Sequence, residues 1–196
     1  MKAQRGGLSL LELMVALGLL SLMMVMMFFI YRQGASAWKK TEAQTQLLQN
    51  LQVFTNRLSR ETERSIYASA AADPGPSTGT AVSMLSCWSD MNSRYDYSGL
   101  TRGPIWQKYL VFYYNNATQE VLLREIPLTP PGSTAVPLAG MAAFRTGGRA
   151  LARNVTQCNF TLQDRLLEVQ LELKLKRYGS PSLEVLQFPC RVFFRN

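Results

Sequence analysis

The sequence predicts an α+β fold, in which one long N-terminal helix packs on an antiparallel β-sheet. Three observations predict it. Residues 8–31, LSLLELMVALGLLSLMMVMMFFIY, form an apolar run whose only charge is Glu12 and which is long enough to span a bilayer. Leu47, Leu51, Phe54 and Leu58 then recur at helical spacing with Gln, Glu and Arg between them. Near the C-terminus, Val169, Leu171, Leu173 and Leu175 alternate with Gln170, Glu172, Lys174 and Lys176, the pattern of a half-buried strand.

Taken in order, residues 1–7 form a short basic leader with Lys2 and Arg5. Residues 8–31 are the apolar half of a helix that continues without a breaker into an amphipathic half, 32–72. Helix from Leu8 to about Tyr67 would be roughly 90 Å long at about 1.5 Å per residue. That length suits a shaft rather than a helix of a globular domain. The Met-rich stretch Met23, Met24, Met26 and Met27 is adaptable packing surface. Asp73-Pro74-Gly75-Pro76-Ser77 opens a loop and the head domain, 73–196.

Within the head, a strand is expected around Val82–Trp88, and an exposed Ser, Asn, Gly and Tyr-rich loop over Asp90–Pro104. Tyr109–Tyr114 and Val121–Ile126 flank a polar turn and read as a hairpin. Pro127–Gly148 reads as a second long loop. Cys158, Phe160 and Leu162 share one strand face. After a Tyr178-Gly179-Ser180-Pro181 turn, Leu186, Phe188, Cys190, Val192 and Phe194 share another, and Pro189 marks an edge strand or bulge.

Composition narrows the chemistry. The chain has no histidine, which removes His-based triads, His metal ligands and a neutral-pH imidazole switch. No Gly-rich loop links a strand to a helix. Asn116, Asn154 and Asn159 begin N-x-T triplets, short enough to arise by chance. No catalytic residue, cofactor or metal is expected, and the chain does not read as an enzyme. The net charge of +8 is scattered. Arg145, Arg149 and Arg153 could meet phosphates, which leaves nucleic acid as a lesser partner. Cys87, Cys158 and Cys190 fit no zinc or redox spacing. In an oxidising compartment one pair could form a disulfide. If the C-terminal strands form a simple meander, Cys158 and Cys190 are two strand spacings apart, about 9–10 Å, so the pair would include Cys87.

Glu12 is the anomaly. An acidic residue inside an apolar span costs about 2.5–3.5 kcal/mol at mid-helix and less near an end. The expectation is that the helix itself offers it no partner. Arg5-Gly6-Gly7 followed by Leu8-Ser9-Leu10-Leu11-Glu12 resembles the class III signal of type IV pilins and type II secretion pseudopilins. The resemblance implies that prepilin peptidase cuts after Gly7, that the Leu8 amine is methylated, and that Glu12 is the fifth mature residue. In a stack of such helices, Glu12 could pair with the Leu8 amine of a neighbour and set the register. Leu8 stands where the family usually has Phe. Phe29 stands where major subunits carry Pro, which argues for a minor subunit.

The order of the head motifs also resembles J-type minor pseudopilins and related minor pilins. The matching pieces are Leu110–Tyr114, Leu123-Arg124-Glu125, Ala152–Val155, the alternating strand, and the terminal Arg195-Asn196. The resemblance implies a pilin-like fold and a structural subunit of a type IV pilus or type II secretion pseudopilus, in its tip or initiation complex. Its partners would be prepilin peptidase, other minor pilins or pseudopilins, the major subunit and the inner-membrane assembly platform. The protein would cross the inner membrane once, with the head in the periplasm, before assembly. Two alternatives remain open. One is a tip adhesin or DNA-uptake subunit using the basic loops. The other is a soluble exported protein cleaved after Ala37, because Ala35-Ser36-Ala37 has the small-x-small shape of a signal-peptidase site.

Overall fold

The computed structural model describes residues 9–75, 78–99, 103–138, 140–176 and 183–194. The chain divides into two compact units, residues 1–42 and 43–196. In the first unit every described residue is helical from Leu10 on, and the side chains of 10–31 are exposed. Helix α1 spans Leu10–Arg64, and an 18-residue window of it reaches a mean hydropathy of 2.6. It is long and apolar enough to cross a membrane.

The second unit holds the sheet. Its strands are β1 (Ala71–Pro74), β2 (Thr78–Ser86), β5 (Trp106–Asn115), β6 (Glu120–Gly132), β7 (Arg149–Arg153), β8 (Val155–Gln163), β9 (Leu166–Lys176) and β10 (Leu183–Phe193). A small separate ribbon pairs β3 (Trp88–Ser89) with β4 (Arg94–Tyr95). The main sheet runs in the order β10-β9-β8-β2-β5-β6-β7, with β1 against β2, and its pairings are antiparallel. Gly79 is needed where β1 and β2 meet, because a Cβ there would lie 2.0 Å from the Asp73 carbonyl oxygen.

The expected periodicities build the core. Leu47, Leu51, Phe54 and Leu58 project from α1 onto Val82, Met84, Leu110, Phe112, Phe160, Val169 and Leu171 of the sheet. Burying each such side chain contributes about 1.5–3 kcal/mol. The inward residues of β8 and β9 are those whose alternation marked them in the sequence. The hairpin falls on β5 and β6, longer at both ends than expected, and Gln119 closes its turn at φ 54°. Pro189 sits on β10, a terminal strand of the sheet.

Three expectations are corrected. The helix does not reach residue 72. It stops at Arg64, where Ser65 turns its hydroxyl to the Leu85 carbonyl (2.8 Å) and the Leu85 amide reaches Ser69 Oγ (3.3 Å). Serine hydroxyls that bond neighbouring backbone compete with helix in this way. A 3-10 turn, Tyr67–Ser69, follows instead. Pro127–Gly148 is not all loop, since β6 continues to Gly132. Nor does the rest of it lie open. Met141 and Leu138 cover Ala81, Val111 and Tyr113 on the face of the sheet away from α1. The Asp90–Pro104 loop, in turn, carries β4, and Trp88 and Tyr95 meet edge to face at 4.9 Å. The Tyr178–Pro181 turn and the terminal Arg195-Asn196 lie outside the described residues.

Candidate assembly site

Helix α1 starts on a reciprocal pair of hydrogen bonds. The Ser9 amide donates to Glu12 Oε2 at 2.8 Å, and the Glu12 amide donates to Ser9 Oγ at 3.2 Å. This is a capping box, in which each side chain satisfies an amide left without an intrahelical acceptor. The expectation that the helix offers Glu12 no partner is therefore corrected. Glu12 also stands in the first turn of the helix. It remains exposed, as do Leu10, Leu11, Leu13 and Met14 around it. Gly7 and Leu8 lie outside the described residues. Ala35-Ser36-Ala37 lies within the unbroken helix, and Thr41 Oγ1 donates back to the Ala37 carbonyl at 3.1 Å.

Cys87, Cys158 and Cys190 are all buried. Cys158 pairs with Leu171 and Cys190 with Val169, so β9 separates them as the meander expectation had it. Cys87 packs with Leu85 and Trp106 in a different cluster. Burial pushes both the Cys158 and Cys190 thiols up from their ordinary range.

Two of the three arginines behind the nucleic-acid alternative are ion-paired. Arg145 is ion-paired with Asp73 and also donates to Thr80 Oγ1 at 3.2 Å. Arg153 meets Glu120 at 3.1 Å. Arg149 alone of the three has no carboxylate beside it among the described residues.

A charge network that sequence reading missed joins α1 to the sheet. Lys108 on β5 is 8 % exposed, and its Nζ lies 2.8 Å from Asp90 and 2.5 Å from Glu125 on β6. Glu125 also meets Arg57 of α1 at 3.5 Å, and Arg57 reaches the buried Glu61 one turn on at 3.2 Å. Burial pulls the Lys108 ammonium down, but its bonds to Asp90 and Glu125 outweigh this and raise it. Burial raises the Glu61 carboxyl, with Arg57 and then Arg64 pulling it partly back. Arg64 lies over the Tyr95 ring, 4.6 Å from its centroid.

The architecture is pilin-like: one long N-terminal helix, apolar over 10–31, whose residues 43–64 pack on an antiparallel sheet. No family model, curated protein or solved structure matches this chain.

Proposed function

We propose that the chain is a minor pilin or minor pseudopilin, a structural subunit rather than an enzyme. It enters the inner membrane through residues 8–31, with the leader in the cytoplasm and the head in the periplasm. Prepilin peptidase cuts between Gly7 and Leu8. The trimmed subunit then leaves the bilayer to join a tip or initiation complex of a type IV pilus or type II secretion pseudopilus. There its apolar helix packs with those of other minor subunits and the major subunit.

One observation carries this reading. Glu12 is the single charge of an exposed, membrane-length apolar segment, and it stands in the first turn of the helix. In a bundle of such helices it can accept the new amine of a neighbour, two buried opposite charges largely offsetting each other's desolvation. Intact mass of the purified membrane form tests the processing: it should begin at Leu8. A start at Trp38 refutes the pilin reading in favour of an exported protein. Glu12→Leu should still fractionate with membranes, because it removes the costliest residue of the span. It should fail to co-purify with partner subunits, because losing one member of a buried pair costs about 3–5 kcal/mol. Wild-type co-purification would remove Glu12 from the assembly role.

A further inference from the structure

The head carries a trough between α1 and the β6–β7 edge of the sheet. It encloses about 370 Å³. Its floor is apolar, with Leu123 of β6 and Leu151 of β7 beneath and Val53 of α1 standing 54 % exposed at the side. Gly148 forms part of the wall at φ +105°, where a Cβ would lie 2.6 Å from the Leu123 carbonyl oxygen. Only a residue without a side chain lets the backbone close in there. The trough continues into a smaller polar pocket of about 130 Å³, which shares Arg57 and Glu125 and adds Arg60 and Arg64.

Arg57, Arg60 and Arg64 follow the i, i+3, i+7 spacing and so line one face of α1. The carboxylates along the trough are already engaged: Glu125 by Lys108 and Arg57, Asp90 by Lys108, Glu61 by Arg57. Arg60 and Arg149, both exposed, form no ion pair among the described residues. Arg64 lies on the face of Tyr95, and among the described residues no carboxylate is bonded to it. The site therefore combines an apolar floor with a rim of surplus positive charge.

We propose that this trough docks an acidic segment of another polypeptide. One apolar side chain of that segment seats over Val53, Leu123 and Leu151, and flanking carboxylates reach Arg60 and Arg149. Charge complementarity of this kind sets partner choice and encounter rate. The apolar floor of Leu123 and Leu151 favours a peptide over nucleic acid, since it offers nothing to a phosphate backbone. The inference rests on the head alone and stands whether or not the pilin reading does.

The test uses the full chain in detergent micelles and a short fluorescein-labelled peptide of glutamate and leucine residues. A second peptide carries glutamine in place of glutamate, and a labelled DNA oligonucleotide is the third probe. The acidic peptide should bind, and the Arg60→Gln/Arg149→Gln double variant should bind it roughly tenfold more weakly. Val53→Ser should weaken binding severalfold, and Arg60→Lys/Arg149→Lys should retain most of it. The unfolding midpoint of the arginine variant should match wild type, because neither side chain has an ion-pair partner to lose among the described residues. Equal binding of the glutamine peptide, binding unchanged in the arginine variant, or tighter binding of DNA than of the acidic peptide would each overturn the proposal.

Discussion

Ser9 and Glu12 cap each other at the start of α1, with amide-to-side-chain distances of 2.8 and 3.2 Å. A carboxylate proposed to bind a neighbour's amine is thus already held in one rotamer by its own helix. The capping bonds use one oxygen of Glu12, Oε2, so the other is left to accept from a second donor. The cap positions the carboxylate rather than competing for it.

Ser9→Ala is expected to weaken assembly without abolishing it. The hydroxyl contributes about 1 kcal/mol as a cap, and its loss frees the first turn and the Glu12 rotamer. Co-purification with partner subunits should fall severalfold, while membrane fractionation stays at wild-type level. Ser9→Thr, which keeps the hydroxyl, should restore it. Equal loss in the threonine variant would mean that the hydroxyl is not what matters at this position.

What could be read from the sequence was local. The α1 face of Leu47, Leu51, Phe54 and Leu58, and the inward sides of β8 and β9, follow from spacing alone. The Ser9–Glu12 cap is equally local, and the Ser-x-x-Glu spacing spells it out. The helix end at Arg64 was not legible, because Ser65 and Ser69 bond to Leu85, some 16–20 residues away. The Lys108 network was not legible for the same reason. Arg57, Glu61, Asp90, Lys108 and Glu125 come from four separate stretches of chain, and each alone reads as a solvated surface charge. Met141 lies in a stretch without periodicity, so nothing in its neighbourhood marks it as the cover of the outer sheet face.

Lys108→Met should be strongly destabilising. It removes the shared cation of Asp90 and Glu125, and Glu125 is left near the buried Glu61 with Arg57 alone between them. Breaking a buried pair from one side typically costs about 3–5 kcal/mol; since Asp90 is 72 % exposed and water can solvate it, the loss should fall at the lower end. Urea unfolding of the head checks this. A change below about 1 kcal/mol would mean that the network behaves as a surface ion pair.

Cys158 and Cys190 should resist alkylation in the folded protein and react fully once it is denatured. Both are buried, and burial keeps their thiols protonated at neutral pH. Iodoacetamide labelling read by mass spectrometry checks this, and non-reducing peptide mapping should find no Cys158–Cys190 pair. Cys158→Ser should destabilise the head by about 1–3 kcal/mol, since the hydroxyl is harder to bury than a thiol. A Cys158–Cys190 disulfide in the map would contradict the placement of β9 between their strands.

Glu61 gives the head a pH dependence whose sign follows from its environment. Its carboxyl is raised above the ordinary value of 4.5, with burial as the first cause. A raised acid binds its proton more tightly in the folded than in the unfolded chain, so folding is favoured while the proton is on. That contribution is complete below 4.5 and declines as pH rises through the higher folded value. Above it, the folded protein bears the cost of a buried carboxylate that Arg57 at 3.2 Å and the nearby Arg64 only partly offset. Glu61→Gln keeps the shape and a hydrogen-bond acceptor for Arg57 but cannot ionise. The variant should therefore lose the decline in stability that sets in as pH rises above 4.5, and at pH 7 should be at least as stable as wild type. Denaturant midpoints of wild type and variant across that range check it. A variant that is less stable than wild type at pH 7 by as much as at pH 5 would show that the Arg57 ion pair, and not desolvation, governs this carboxylate.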